Sequence, residues 1–185
     1  MIAKTRKAPR KKNATPIEIG ALLMETVCVS GASEQPALEE LAEYLGTPLG
    51  RMQSELLFLR AFAVDFALNM SLGDGPARWA IAEQYYRHWE MVAEGTGHDT
   101  IEGLEERLNF YTEVINTSHI GAAGLTEQVG MAFASRCLSA GDDEDGDSRS
   151  GSSVDLAMLG GSMFVALFDE VSDMLTQVEI VLIDP

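Results

Sequence analysis

The sequence predicts an all-α protein: a bundle of six to seven helices with a basic N-terminal arm and an acidic disordered loop before the last helix. Three observations carry this reading. Helix starts and stops are marked by capping residues, prolines and glycines. Apolar residues recur at three- and four-residue spacing. The stretch from Leu56 to Met70, LLFLRAFAVDFALNM, is interrupted only by Arg60, Asp65 and Asn69. A helix apolar nearly all round belongs in the middle of a bundle.

Thr15, Pro16 and Glu18 supply an N-cap, a proline at the first helical position and a capping-box acid, opening a first helix that Gly31 should close. Ser33 to Pro36 open a second, whose Leu38, Leu41, Ala42 and Leu45 share one face before Gly46 stops it. Thr47 as cap and Pro48 as first residue start a long third helix to Leu72. After the break at Gly73 to Pro76, residues 77–94 form a fourth, with Glu83 four before Arg87 in the better order for a surface pair. Ile101, Leu104, Leu108, Tyr111 and Ile115 stripe a fifth from Asp99 to Ser118. Val129, Phe133 and Cys137 mark a sixth, Leu125 to Ala140. Ser153 caps a last helix through Phe164, Leu167, Val171, Met174 and Val178, a spacing like a short coiled-coil seam. The closing VEIVLI, rich in β-branched residues, also suits a terminal strand.

These elements divide the chain into a flexible basic arm (1–14), a bundle (15–140), an acidic loop (141–153) and a C-terminal helix (154–185) packing on the bundle or on a partner subunit. Charge is segregated along that division. Lys4, Arg6, Lys7, Arg10, Lys11 and Lys12 precede any acidic residue; the remaining seven cations, all Arg, face 29 acids, so the body carries −22 and the chain −16. A cationic arm tethered to an anionic body can steer partners of either sign. Complementarity alone also suggests that the arm contacts Asp142 to Asp147. A 46% hydrophobic and 23% charged composition is that of an ordinary globular chain.

Cys28 and Cys137 cannot build a disulfide framework or a four-ligand zinc site, and both sit in apolar helical patterns, which predicts reduced structural thiols in the cytoplasm. The apolar run Ile19 to Met24 is bracketed by Glu18 and Glu25 and is too short for a signal peptide, and Leu156 to Phe168 is too short to span a bilayer. No membrane association is expected.

Motifs for catalysis or cofactors are not found. An EF-hand frame starting at Asp143 gains Asp145 and Asp147 but puts Ser148 at the glycine place and Val154 at the twelfth. None of His88, His98 and His119 has an acid three residues before it, the spacing of di-iron bundles. There is no phosphate-binding loop, dinucleotide fingerprint or nucleophile elbow. No cofactor or metal is expected, and an enzymatic reading would use Asp65 or His88 as an acid or base. Asp65, four before Asn69 on the apolar helix, needs a partner, and an Arg is the expected one. Trp79, Tyr85, Tyr86, His88 and Trp89 crowd the fourth helix and would serve either as a core stripe or as a pocket or interface.

The segment LEELAEYLGTPLGRM, Leu38 to Met52, spaces Ala42, Gly46 and Met52 as a helix-turn-helix does around its tight turn. With the basic arm before it, the stretch 31–56 resembles the DNA-reading end of TetR-type repressors, Ala42, Gly46, Gly50, Met52 and Leu56 filling places that this family gives to small or apolar residues. The resemblance implies a DNA-binding transcriptional regulator with Arg51 and Gln53 reaching base edges. It departs from the family at Gln53 and Ser54, where aromatic residues are usual, and at Pro48, which begins one long helix where the family has a short reading helix. Glu39, Glu40, Glu43 and Glu55 would flank phosphates.

The expectation is therefore a non-catalytic helical binding or regulatory protein. It would act through protein–protein contacts and self-associate along the Phe164–Val178 seam, where Gly160 and Gly161 would let another helix approach. Nucleic-acid binding through the arm is the alternative.

Overall fold

The computed structural model describes residues 11–29, 34–96, 101–117, 122–138 and 150–182. In chain order they form β1 (Lys12–Ala14), α1 (Pro16–Cys28), α2 (Glu34–Leu45), α3 (Leu49–Leu72), α4 (Pro76–Thr96), α5 (Ile101–Thr117), α6 (Ala122–Leu138), α7 (Ser150–Gln177) and β2 (Val178–Ile180). The protein is an all-α bundle with one minimal sheet. Arm residues before Lys11, Gly31 and the acidic stretch 139–149 lie outside the described residues.

Local rules set most boundaries. Thr15 and Glu18 close a reciprocal capping box at α1, the Thr15 amide donating to Glu18 Oε2 at 2.8 Å and the Glu18 amide to Thr15 Oγ1 at 3.3 Å. Gly46 ends α2 with φ 64°, where its amide donates to Glu43 O and that of Thr47 to Ala42 O, the paired bonds of a Schellman stop. Two expected caps are not made. Pro48, not Thr47, occupies the cap position of α3 with no side-chain bond to the first turn. Ser153 lies inside α7, which begins at Ser150 in what the sequence assigned to the loop. Apolar periodicity cannot mark that start, because 150–153 carries no apolar side chain.

The last turn of the expected seam also differs. The helix stops at Gln177, and Val178 begins β2, parallel to β1 with Lys12 opposite Val178 and Ala14 opposite Ile180. Residues 12–14, counted with the flexible arm, are thus a paired strand. The pairing gives backbone partners to both segments, and it extends to the Val181 amide, which donates to Ala14 O at 2.9 Å.

Helix α3 is the hub, touching every other helix. Leu59, Ala61, Ala63, Val64, Ala67 and Leu68 on it are fully buried, as the all-round apolar pattern requires. Phe62 is buried and stacks on Tyr111 of α5 at 5.1 Å and Phe164 of α7 at 5.8 Å. Phe66 is only half-buried, joining the same cluster through Phe164 and Phe168.

The rest of the expected seam is also spent inside the chain. Phe164, Leu167 and Val171 are buried and Met174 packs against the core, so this face of α7 is not free for a second copy. Gly160 and Gly161 do admit another helix, but it is α6. A Cβ at Gly130 would overlap the Ala157 carbonyl, and one at Gly161 would press on Thr126 O, so the two backbones cross in direct contact.

Phe62→Ala should cost about 3–5 kcal/mol, the range for deleting a buried aromatic ring. A denaturant midpoint shifted by less than about 1 kcal/mol equivalent would contradict the central position of α3.

Candidate functional site

The polar groups around α3 show which sequence candidates are free to act. Glu55, buried, accepts from Arg107 Nε at 3.1 and 3.0 Å and from Nη2 at 2.7 Å. This bidentate pair raises the Arg107 pKa. Arg107 also pairs with Glu106, which pairs in turn with Arg136 and has its pKa lowered by the Arg136 hydrogen bond.

Arg51, the first candidate base contact, donates through Nη2 to Arg136 O at 2.8 Å. That carbonyl is one of the last four of α6, which have no partner inside their own helix. Arg51 is thus a helix-end cap. Arg60 does the same for α1, donating to Val27 O at 3.2 Å while pairing with Glu34. Gln53 is exposed and its amide donates to Gln35 Oε1 at 3.2 Å. Glu39, Glu40 and Glu43 are exposed on neighbouring α2. The turn of the helix-turn-helix pattern forms, but α3 runs unbroken for 24 residues.

The aromatic group on α4 divides. Tyr85 and Trp89 are buried; Trp89 Nε1 donates to Tyr85 Oη at 2.9 Å, and its ring stacks on Phe58 at 6.4 Å. Trp79 is 59% exposed, donates to Asp74 Oδ1 at 2.9 Å and lies under the Arg78 guanidinium. His88 is half-buried. Tyr86 donates its hydroxyl proton to Asp65 Oδ1 at 2.9 Å. The partner of Asp65 is therefore a tyrosine, where the sequence led us to expect an arginine. A phenol on a facing helix satisfies a carboxylate, but no sequence spacing announces it.

Burial raises the pKa of Tyr85, Tyr86 and Tyr111, and the charges of Asp65 or Glu55 add to it. Burial, then the Glu55 charge, pushes the Cys137 thiol up to about 12. Cys28 is exposed. Among the described residues no group of three or more His, Cys, Asp or Glu is placed to hold a metal ion. No helix among them is long and apolar enough to cross a membrane.

What the fold does build is surface concavity along α7. Between α6 and α7 runs an apolar groove of about 660 Å³, with Ala134, Ala157 and Gly161 in its lining and Glu127 as the one charged residue there among the described residues. Met131, Val154 and Met158 line it too and are 55%, 54% and 68% exposed. Periodicity hid this surface. Sequence stripes separate an apolar face from a polar one, whereas these residues sit beside the core stripe and are left uncovered only because of how α6 crosses α7. On its other side, α7 faces α1 across two further grooves of about 640 and 400 Å³.

No protein-family model matches the chain, and no curated protein or solved structure matches it. Function is therefore argued from these surfaces.

The raised tyrosine and cysteine values fix a pH dependence. Each group is held neutral in the fold above its unfolded pKa, so its contribution is complete well below that value and is lost as pH rises through the folded value, for Cys137 towards about 12 and for the tyrosines higher still. Denaturant titrations should show stability falling from about pH 9 upward. Tyrosinate absorbance from the buried Tyr85 and Tyr111 should appear only together with loss of helical circular dichroism.

Proposed function

We propose that this is a non-catalytic helical binding or regulatory protein acting through protein–protein contacts, the first of them with a second copy of itself across the α6–α7 groove. The supporting observation is the exposure of Met131, Val154 and Met158 around an apolar groove in a chain of net charge −16. Copies of like charge repel over most of their surface. They meet at least cost where Glu127 is the only charged residue among the described residues of the lining. A two-fold pairing makes the surface complementary to itself, the methionines of each copy entering the groove of the other. Methionine suits this role, since its unbranched, polarizable chain adapts to an irregular surface. The C-terminal helix stays the associating element, but through a different face from the one its heptad-like spacing suggested.

A helix-turn-helix DNA-binding regulator is the second reading, supported by the tight Gly46 turn between α2 and α3 and by the basic arm. It requires Arg51 to leave the α6 carbonyl it caps, and it brings Glu39, Glu40 and Glu43 towards phosphates. Binding carried by the arm alone should be sequence-independent and weaken steeply between low and physiological salt in a gel-shift titration. A discriminated sequence whose affinity falls in Gln53→Ala would favour this second reading.

For the leading reading, sedimentation at about 100 µM, well above the dissociation constant of a stable dimer, should show a dimer. The double variant Met131→Glu, Met158→Glu should be a folded monomer, because both side chains are already exposed. A monomeric parent protein at that concentration would overturn self-association.

A further inference from the structure

The two grooves between α1 and α7 share Leu22 and Glu25 in their linings, so they form one trench along the bundle. Its apolar lining includes Leu22, Met163, Leu167 and Met174. Leu22 is an exposed apolar side chain, and so is Val29 beside it. Carboxylates stand on both sides: Glu25 on α1 and Glu170 on α7, neither of which has a cationic partner among the described residues. Arg60, also in the lining, is committed to Glu34 and to the Val27 carbonyl. The trench therefore suits an extended segment carrying both apolar and cationic side chains.

The path of the chain supplies one. Lys12 lines the end of the trench nearest Met174. β1 runs parallel to β2 with Lys12 opposite Val178, and β2 follows α7 without a break. Lys11, the residue before Lys12, is thus level with the end of α7, and residues 1–10 are attached at that point. Residues 1–10 read MIAKTRKAPR, with Lys4, Arg6, Lys7 and Arg10 among small and apolar residues and no acid. Ten extended residues reach roughly 33 Å. The α7 wall from Met174 back to Ser162 is roughly 18 Å at helical rise. Length, point of attachment and charge agree.

We propose that the α1–α7 trench is the docking site of the chain's own residues 1–10, whose cations meet Glu25 and Glu170. Docked there, the arm is withheld from external polyanions, and a polyanion must compete with the trench for it. This makes the arm a regulated element. The site lies on another flank of α7 from the α6–α7 groove, sharing only Ser162 with it, and does not depend on self-association.

Zero-length carbodiimide crosslinking of the full chain at low salt, read by peptide mass spectrometry, tests this. The amines of Lys4 and Lys7 should join Glu25 and Glu170. In the variant Glu25→Gln, Glu170→Gln, two surface changes that leave the circular dichroism intact, those links should vanish and affinity for heparin should rise severalfold. A mixture of isotopically light and heavy protein should give links within one isotope only. Mixed light–heavy links would assign the trench to the arm of another copy and overturn docking within one chain. Links predominantly to Asp142–Asp147, or heparin affinity unchanged in the variant, would overturn the trench as the site.

Discussion

Everything in this fold is arranged around the burial of α3. A helix surrounded by six others gains from its apolar surface but can carry polar side chains only where each finds a partner. Glu55, Arg60 and Asp65 meet that condition through Arg107, through Glu34 with the Val27 carbonyl, and through Tyr86. The same constraint reaches the neighbours. Helices that end against α3 present carbonyls with no helical partner, and Arg60 and Arg51 reach out from α3 to cap α1 and α6. Arginine suits this work because one planar group can bond a carbonyl and a carboxylate together.

Helix α7 shows how one amphipathic element serves three surroundings. Its Phe164, Leu167 and Val171 face closes the core over α3. Its glycines let α6 cross in backbone contact, which uses up the small-residue surface and leaves the adjacent methionine and valine side chains in solvent. Its Glu170 side looks across a trench to α1. A mostly apolar groove and a carboxylate-lined trench thus lie on two flanks of one helix, and they call for different chemistry: apolar contact on one, a cationic segment on the other.

Charge segregation gains a structural meaning from this layout. The body's negative charge alone would direct any basic partner anywhere on its surface. The trench adds an apolar lining and a definite entry at Lys12, where the strand pairing fixes the chain. The proposed self-association and the proposed arm docking use two flanks of α7 that share only Ser162 among their lining residues, so a protein with both could respond to a polyanion without losing its assembly.

The sequence by itself determined the helices, most of their limits and the identity of the buried one, because capping boxes, Schellman glycines and all-round apolarity act within a few residues. Thr15 with Glu18, Gly46, and Leu56 to Leu68 were legible for that reason. Tertiary structure alone decided the rest. It gave Asp65 to Tyr86 and Arg51 to a helix end, turned Val178 from a seam into a strand, and sent Gly160 and Gly161 to α6. It also decided which apolar side chains of α7 stay in water. Those choices depend on which helices meet and at what crossing, and a three-four spacing is equally satisfied by a neighbour in the same chain or in another.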